Sequence, residues 1–201
     1  MSLYTPPLFA GDEAAGWAII DAHPFGVLFR GAAGAGPRIS PLPWIADREA
    51  RVVRGHLARA NPAGRAAATG EPATVCFQGA HGYISPRAYL NARLHVPTWN
   101  YVFVELEGTI VPLDRVATRE VVVSLCRRFE PEKGYRPEEA EPGLLDGLLD
   151  AIVGIELRIS RMTTKLKLSQ NRDSADRAGV LGWLARETAA EATLLHWMVR
   201  G

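Results

Sequence analysis

Three short segments carry residue types whose spacing could do chemistry. In the first, Arg54-Gly55-His56-Leu57-Ala58-Arg59-Ala60-Asn61-Pro62, two arginines and a histidine close an extended run just before a small-residue stretch that Asn61 and Pro62 open as a helix. Free backbone N–H groups and the positive end of a helix both favour an anion there. Arg54, His56 and Arg59 would complete a phosphate cradle, and Gly55 would let the main chain come close. Ordinary surface cations on a turn would give the same string. The second segment, Val96-Pro97-Thr98-Trp99-Asn100-Tyr101, sets a hydroxyl, an indole and an amide in succession at the start of a strand. An aromatic heterocycle with polar edges needs this mixture of flat surface and hydrogen-bonding groups. A core tryptophan with Thr98 and Asn100 in a turn fits it too. In the third, Lys165-Leu166-Lys167-Leu168-Ser169-Gln170-Asn171-Arg172, alternation sends Lys165, Lys167, Ser169 and Asn171 to one face. That is unusual for a core strand, although a solvated edge would also produce it.

Other chemistries find little support. The histidines at 23, 56, 81, 95 and 196 show no HxH, HxxxH or HExxH spacing, which argues against a metal site. There is no GxSxG elbow, and neither a cysteine nucleophile nor a carboxylate pair stands at interpretable spacing, so a hydrolase is not indicated. The absence of GxGxxG and Walker-type loops sets aside a nicotinamide Rossmann domain and a P-loop nucleotidase. Cys76 and Cys126 lie far apart without CxxC or CxxH context, and each reads as a small buried hydrophobe.

The elements that must position these segments belong to an ordinary globular chain. Of 201 residues 47% are hydrophobic and 22% charged, and 23 Lys+Arg against 22 Asp+Glu leave a net charge of +1. Such a balance gives no general pull toward a nucleic-acid backbone, so charge does not support DNA as a partner. No apolar run approaches the ~18 residues of a membrane span, and the N-terminus has neither a basic nor an apolar signal region, so a cytoplasmic protein with no membrane partner is expected.

Asp12 predicts the cap of a peripheral helix that stops before Pro24. Strands are expected at Phe25 to Arg30 and at Arg38 to Trp44, the second broken by Pro41 and Pro43, with Gly31–Pro37 as the loop between them. Further strands are expected at Arg51 to Leu57, Ala73 to Phe77, Gly82 to Ser85, Asn100 to Leu113 (the longest, bent at Gly108) and Gly154 to Met162. Helices are expected at Arg115 to Arg128, with Thr118 as its cap, at Pro142 to Val153, and at Ser174 to Val199 with a break near Arg186 to Thr188; 130–142 reads as a solvated linker and Asn91–His95 as a loop. Many short strands with no regular β-α-β alternation argue for a small closed or half-closed barrel with added helices, mainly β in an α+β arrangement.

The three segments, together with His23-Pro24-Phe25-Gly26, Phe77-Gln78-Gly79, the run His81 to Pro86, Tyr89, Ile152-Val153-Gly154 with Glu156, and Asp176-Arg177-Ala178-Gly179, resemble the PaiB family of FMN-binding split-barrel proteins and negative transcriptional regulators. The likeness spans nearly the whole chain. It implies a single six-stranded FMN-binding split β-barrel domain over 1–201, with a helical insertion around 115–153 and a helical C-terminal extension at 174–199, working as a homodimer with FMN as cofactor. By analogy with split-barrel flavoproteins, it assigns Arg54, His56, Arg59 and Asn61 to the phosphate and Ser40 and Leu42 to the ring, with Leu57 beside them. Thr98, Trp99, Asn100, Lys167, Ser169, Gln170 and Asn171 would close the site, from the same or the partner chain. The chain departs from the family at Thr163-Thr164-Lys165, where relatives often have Gly before the first lysine, and at Ala88-Tyr89, where they often have Trp before the Tyr. The functional alternatives are an FMN-dependent oxidoreductase using reduced nicotinamide, with His81 and Tyr83 as ring-bordering candidates, and a barrel that has lost its flavin.

Overall fold

The computed structural model describes residues 3–32, 35–62, 70–141, 143–186 and 196–199. The chain divides into two compact units. Unit 1 comprises Met1–His23, Gln78–Glu105 and Thr163–Gly201, and unit 2 comprises Pro24–Phe77 and Leu106–Met162. The elements in chain order are β1 (Ala10–Gly11), α1 (Glu13–Ala22), β2 (Phe25–Ala32), β3 (Ala35–Pro43), β4 (Ile45–Asp47), β5 (Val52–Ala58), β6 (Glu71–Ile84), β7 (Thr98–Pro112), α2 (Arg115–Phe129), α3 (Leu144–Asp150), β8 (Ile152–Lys167) and α4 (Ser174–Leu184).

The sheet path is β3-β2-β6-β7-β8-β5-β4, of which β2 to β5 and parts of β6, β7 and β8 belong to unit 2. β2 pairs antiparallel with β3, from Phe25 opposite Pro43 to Arg30 opposite Arg38, and with β6, from Val27 opposite Cys76 to Arg30 opposite Ala73. β5 pairs with β4 and with β8, where Val52 meets Arg158 and Ala58 meets Ile152. Alternation sends Leu28, Val53, Val75, Phe77, Leu106, Ile155 and Leu157 inward, where they are fully buried with Trp44. α2 is capped by Asp114, whose carboxylate accepts from the Ala117 N–H at 2.8 Å.

Unit 1 is built on α1, α4 and the far portions of β6, β7 and β8. Asp12 caps α1 by accepting from Ala15 N–H at 2.7 Å, as its residue type predicts. Asp173 caps α4 in the same way, accepting from Asp176 N–H at 2.8 Å. β1 pairs with β8 through Ala10 opposite Lys165 and Gly11 opposite Thr164. Ile19, Ile20, Ile84, Val102, Val104, Leu168, Val180 and Leu184 form the core.

The expected class, mostly antiparallel β with added helices, is what is found, but the sheet has eight strands rather than six and its path is not closed. The additions include β1 and β4, of two and three residues, too short to show any alternation in sequence. The strands expected at Ala73 to Phe77 and Gly82 to Ser85 join in one strand, β6, which ends at Ile84 and passes Gly79, where a Cβ would lie 2.5 Å from Val102. β8, with 16 residues, is longer than β7, with 15. Pro41 and Pro43 do not break β3, because β3 ends the sheet path and pairs on one side only.

Thr118 is not a cap: its hydroxyl donates to Asp114 O and accepts from Gly154 N–H. α3 stops at Asp150, so Ile152 already belongs to β8. Cys76 and Cys126 are half-buried rather than buried. The 130–142 linker contains the 3-10 turn Pro137–Glu139, and the 91–95 loop contains the turn Ala92–Leu94. The strands β2 and β3 reach into the expected 31–37 loop, of which 33–34 lie outside the described residues; so do most of the helix expected after Pro62, at 63–69, and the C-terminal stretch 187–195.

Candidate functional site

In unit 2, β3 and β5 approach one another without pairing, and a cleft of about 380 Å³ opens on them, lined by Ser40, Leu42, His56, Leu57 and Asn61 with Ile39 and Ile152. Ser40, Leu42 and Leu57 are buried there. The Asn61 amide donates to the Ser40 hydroxyl at 3.2 Å, which ties the end of β5 to β3. Gly55 makes the approach feasible, because a Cβ would stand 2.8 Å from the Leu42 side chain and 3.0 Å from Pro43 O. Burial holds the His56 imidazole below its usual 6.5, so the ring is neutral at neutral pH. Its Nδ1 is buried and has no hydrogen-bond partner among the described residues.

The two arginines of this segment are placed differently. Arg54 donates from Nε to Glu156 at 2.8 Å and from Nη1 to Asp47 at 3.1 Å, so two carboxylates compensate its charge. It borders a separate cleft of about 340 Å³ with Glu120, Ser124 and Glu156. Arg59 donates from Nε to Asp150 O and from Nη2 to Ile152 O, both at 2.7 Å, while its main-chain N–H donates to Ala151 O. Its plane is therefore fixed by carbonyls at the α3–β8 junction, and among the described residues it has no carboxylate partner. It lines a third cleft of about 240 Å³, which shares Ile152 with the first. A hydroxyl, an amide, an unpartnered imidazole nitrogen and one uncompensated guanidinium make a donor set that fits a phosphorylated polyol such as the side chain of FMN.

The other predicted residues form a cluster within unit 1. Lys167 Nζ donates to Thr98 Oγ1 at 2.6 Å and to Trp99 O at 2.5 Å. Its pKa is lowered, first by burial and then by the positive charges of Lys165 and Arg172. Asn100 is fully buried and its Nδ2 donates to Ser169 Oγ at 3.0 Å. Ser169 turns the chain with a φ of 65°, a left-handed conformation that its bond to Asn100 helps to hold. Gln170 folds back on its own turn, accepting from Leu168 N–H and donating to Leu166 O. Asn171 is exposed. Trp99 presents its ring outward, edge-on to Tyr83 at 5.9 Å and tilted against His81 at 6.4 Å.

A neighbouring network in unit 1 escaped the sequence reading. His95 Nε2 faces Asp176 at 3.2 Å, its Nδ1 lies 3.0 Å from Arg172, and both the His95 ring and the Arg172 guanidinium pack on Tyr89. Asp176 is buried at the start of α4 and also accepts from Leu90 N–H. The sequence marked Tyr89, Arg172 and Asp176-Arg177-Ala178-Gly179, but gave none of them a role here. Gly179 supplies the contact, since a Cβ there would lie 2.0 Å from Ala88 O.

Known proteins place this architecture. The chain is 30% identical over 190 residues to the protease synthase and sporulation protein PAI 2 of Bacillus subtilis, covering 92% of this chain and 90% of that protein. In structure it is similar to the flavocytochrome Anf3 of Azotobacter vinelandii, with a TM-score of 0.63, 19% identity and coverage of 83% of this chain and 73% of that one. It is also similar to an FAD and heme binding protein of Mycobacterium smegmatis, with a TM-score of 0.60, 20% identity and coverage of 83% and 77%. At such identities these two likenesses speak to the fold alone. The family model described as "Putative FMN-binding domain" matches residues 3–161. On that match and on the PAI 2 relationship, the chain belongs to the PaiB-type FMN-binding family, in the split-barrel fold class.

Proposed function

We propose that FMN is held in unit 2 with its phosphorylated side chain along the β3–β5 cleft, Ser40, His56 and Asn61 meeting the polyol and Arg59 meeting the phosphate. The observation that carries this reading is Arg59, a guanidinium fixed by two carbonyls, without a carboxylate partner among the described residues, in the cleft adjoining the first. Arg54 acts one step back, holding β4, β5 and β8 through Asp47 and Glu156. Bound FMN supplies hydride and single-electron chemistry, and the protein's part is to hold and orient it.

The working form in this reading is a homodimer. Phe25 and Ile39 are 62% and 57% exposed on paired strands of unit 2, an apolar surface that a second copy would cover. The partner's unit 1 then closes the flavin site with its Thr98–Asn100 and Lys167–Asn171 segments. The role is that of a cytoplasmic PaiB-type regulator. Regulation runs through the flavin-bound state or a partner protein, since a net charge of +1 offers DNA no general attraction.

Titration with FMN, followed by flavin fluorescence and by size-exclusion chromatography, tests this. Wild-type protein is expected to bind FMN as a dimer, and Arg59→Ala to weaken binding by about ten-fold or more without unfolding the chain. Unchanged FMN affinity in Arg59→Ala would move the phosphate elsewhere.

A further inference from the structure

We propose that the exposed rings of His81, Tyr83 and Trp99 in unit 1 form a binding platform for a planar aromatic anion, of the aryl carboxylate class. His81 and Tyr83 stand two apart on β6 and so share a face, and Trp99 stands beside them on β7. Trp99 is 54% exposed and Tyr83 43%. Large rings that pack against each other while leaving this much surface open suit a flat ligand better than a core.

The platform is held rigidly from beneath. The Trp99 carbonyl is gripped by Lys167, and the next residue, Asn100, is buried and locked to Ser169. Gly79, behind His81, lets the chain lie against Val102 and Ile19. A ligand landing here meets rings that need little ordering, which favours affinity.

The surrounding charge selects the ligand's sign. Lys165, Lys167 and Arg172 have no carboxylate partner among the described residues. Lys165 donates to Tyr4 O and lies over the rings of Tyr4 and Tyr101, Lys167 donates to Thr98 and to Trp99 O, and Arg172 lies against His95 and Tyr89. The acids of the cluster are engaged otherwise: Asp176 faces His95, and Glu105 accepts from Leu3 N–H. Three cations without a carboxylate partner among the described residues create a positive potential; Lys167 loses proton affinity first to burial and then to Lys165 and Arg172. A carboxylate beside Trp99 relieves that repulsion, whereas a neutral ring gains stacking only. As the substrate or effector of a flavoprotein such a ligand rests on the FMN reading, but its binding is measurable without flavin.

Calorimetric titration of the flavin-free protein with 4-hydroxybenzoate, using neutral 4-hydroxybenzamide as the control, is the test. The carboxylate is expected to bind about ten-fold more tightly than the amide, and Trp99→Ala and Lys167→Met each to weaken it by about ten-fold. Lys167→Arg should keep the preference for the anion. Equal affinity for the two probes, or a benzoate affinity that Trp99→Ala leaves untouched, would overturn the proposal; both tests stand even if Lys167→Met fails to fold. Repeating the titration with FMN added should leave benzoate binding in place, and displacement by FMN would show that the flavin itself covers the rings, which also overturns it. Failure of FMN to bind, read separately from flavin fluorescence, would sink the flavin reading while leaving the platform standing.

Discussion

Two clusters of cations, one in each unit, use positive charge in opposite ways. In unit 2, Arg54 is pinned between Asp47 and Glu156, and Arg158 takes the second oxygen of Glu156 at 3.1 Å, so charge there binds strand to strand. In unit 1, Lys165, Lys167 and Arg172 bond carbonyls, a hydroxyl, an imidazole and ring faces, and none has a carboxylate partner among the described residues. A compensated arginine stabilises a fold. An uncompensated cation, held in place by neutral acceptors, keeps its field for something that arrives later.

The comparison can be broken first at its supports, where the largest effects are expected. Gly108 in unit 2 leaves no room for a Cβ, which would lie 2.0 Å from Arg158 O, and Gly179 in unit 1 stands in the same relation to Ala88 O. Gly108→Ala and Gly179→Ala should each cost about 3 kcal/mol in urea unfolding, the upper range for overpacking. For Gly179 the sign is informative, since an alanine in an unobstructed helix would stabilise by about 1 kcal/mol instead.

A middle-sized effect separates the two kinds of cation directly. Arg54→Ala leaves Glu156, whose side chain is 11% exposed, with the more exposed Arg158 as its one cation among the described residues. Because Arg54 is itself partly solvated, the expected loss is about 2 kcal/mol, below that for a fully buried pair. Lys167→Met should cost less in the same assay, because it removes a half-buried charge that no carboxylate among the described residues balances. Equal losses in the two variants would erase the distinction between the units.

The smallest effect is in pH dependence. His56 in unit 2 and His23 in unit 1 are both held below the usual 6.5, His56 by burial and His23 by burial and then by His81. Below 6.5 the unfolded chain takes up protons that the folded chain resists, so stability is full above 6.5 and declines as pH falls through the two folded values. His56→Gln should flatten part of that decline while leaving the contribution of His23, as thermal melts across pH 5 to 8 would show; an unchanged slope would mean that His56 gains a partner in solution.

Local features were legible in the sequence wherever the cause is local. Asp12 as a cap, the end of α1 before Pro24 and the extended runs that become β5 and β8 follow from neighbours a few positions away. The roles of the arginines were not legible, because the partner that decides Arg54 is Glu156, 102 positions on, and the acceptors that fix Arg59 are carbonyls, which every residue carries. Arg54 and Arg59 look alike in a string of letters. The same holds for His95, whose meaning comes from Asp176 and Arg172 across the chain. Trp99 was legible in part: its neighbours marked a site, while its openness depends on how β6 places Tyr83 and His81.

Pro41 and Pro43 stand two apart on β3, so the donors they lack are missing from one and the same edge, the one turned away from β2. β3 and β5 can therefore come together without zipping into a ladder. The gap that results is where Ser40, His56 and Asn61 meet. The vacancy in this half of the molecule is thus maintained by two imino acids, and the barrel's seam stays open because at that point the backbone has nothing with which to sew it shut.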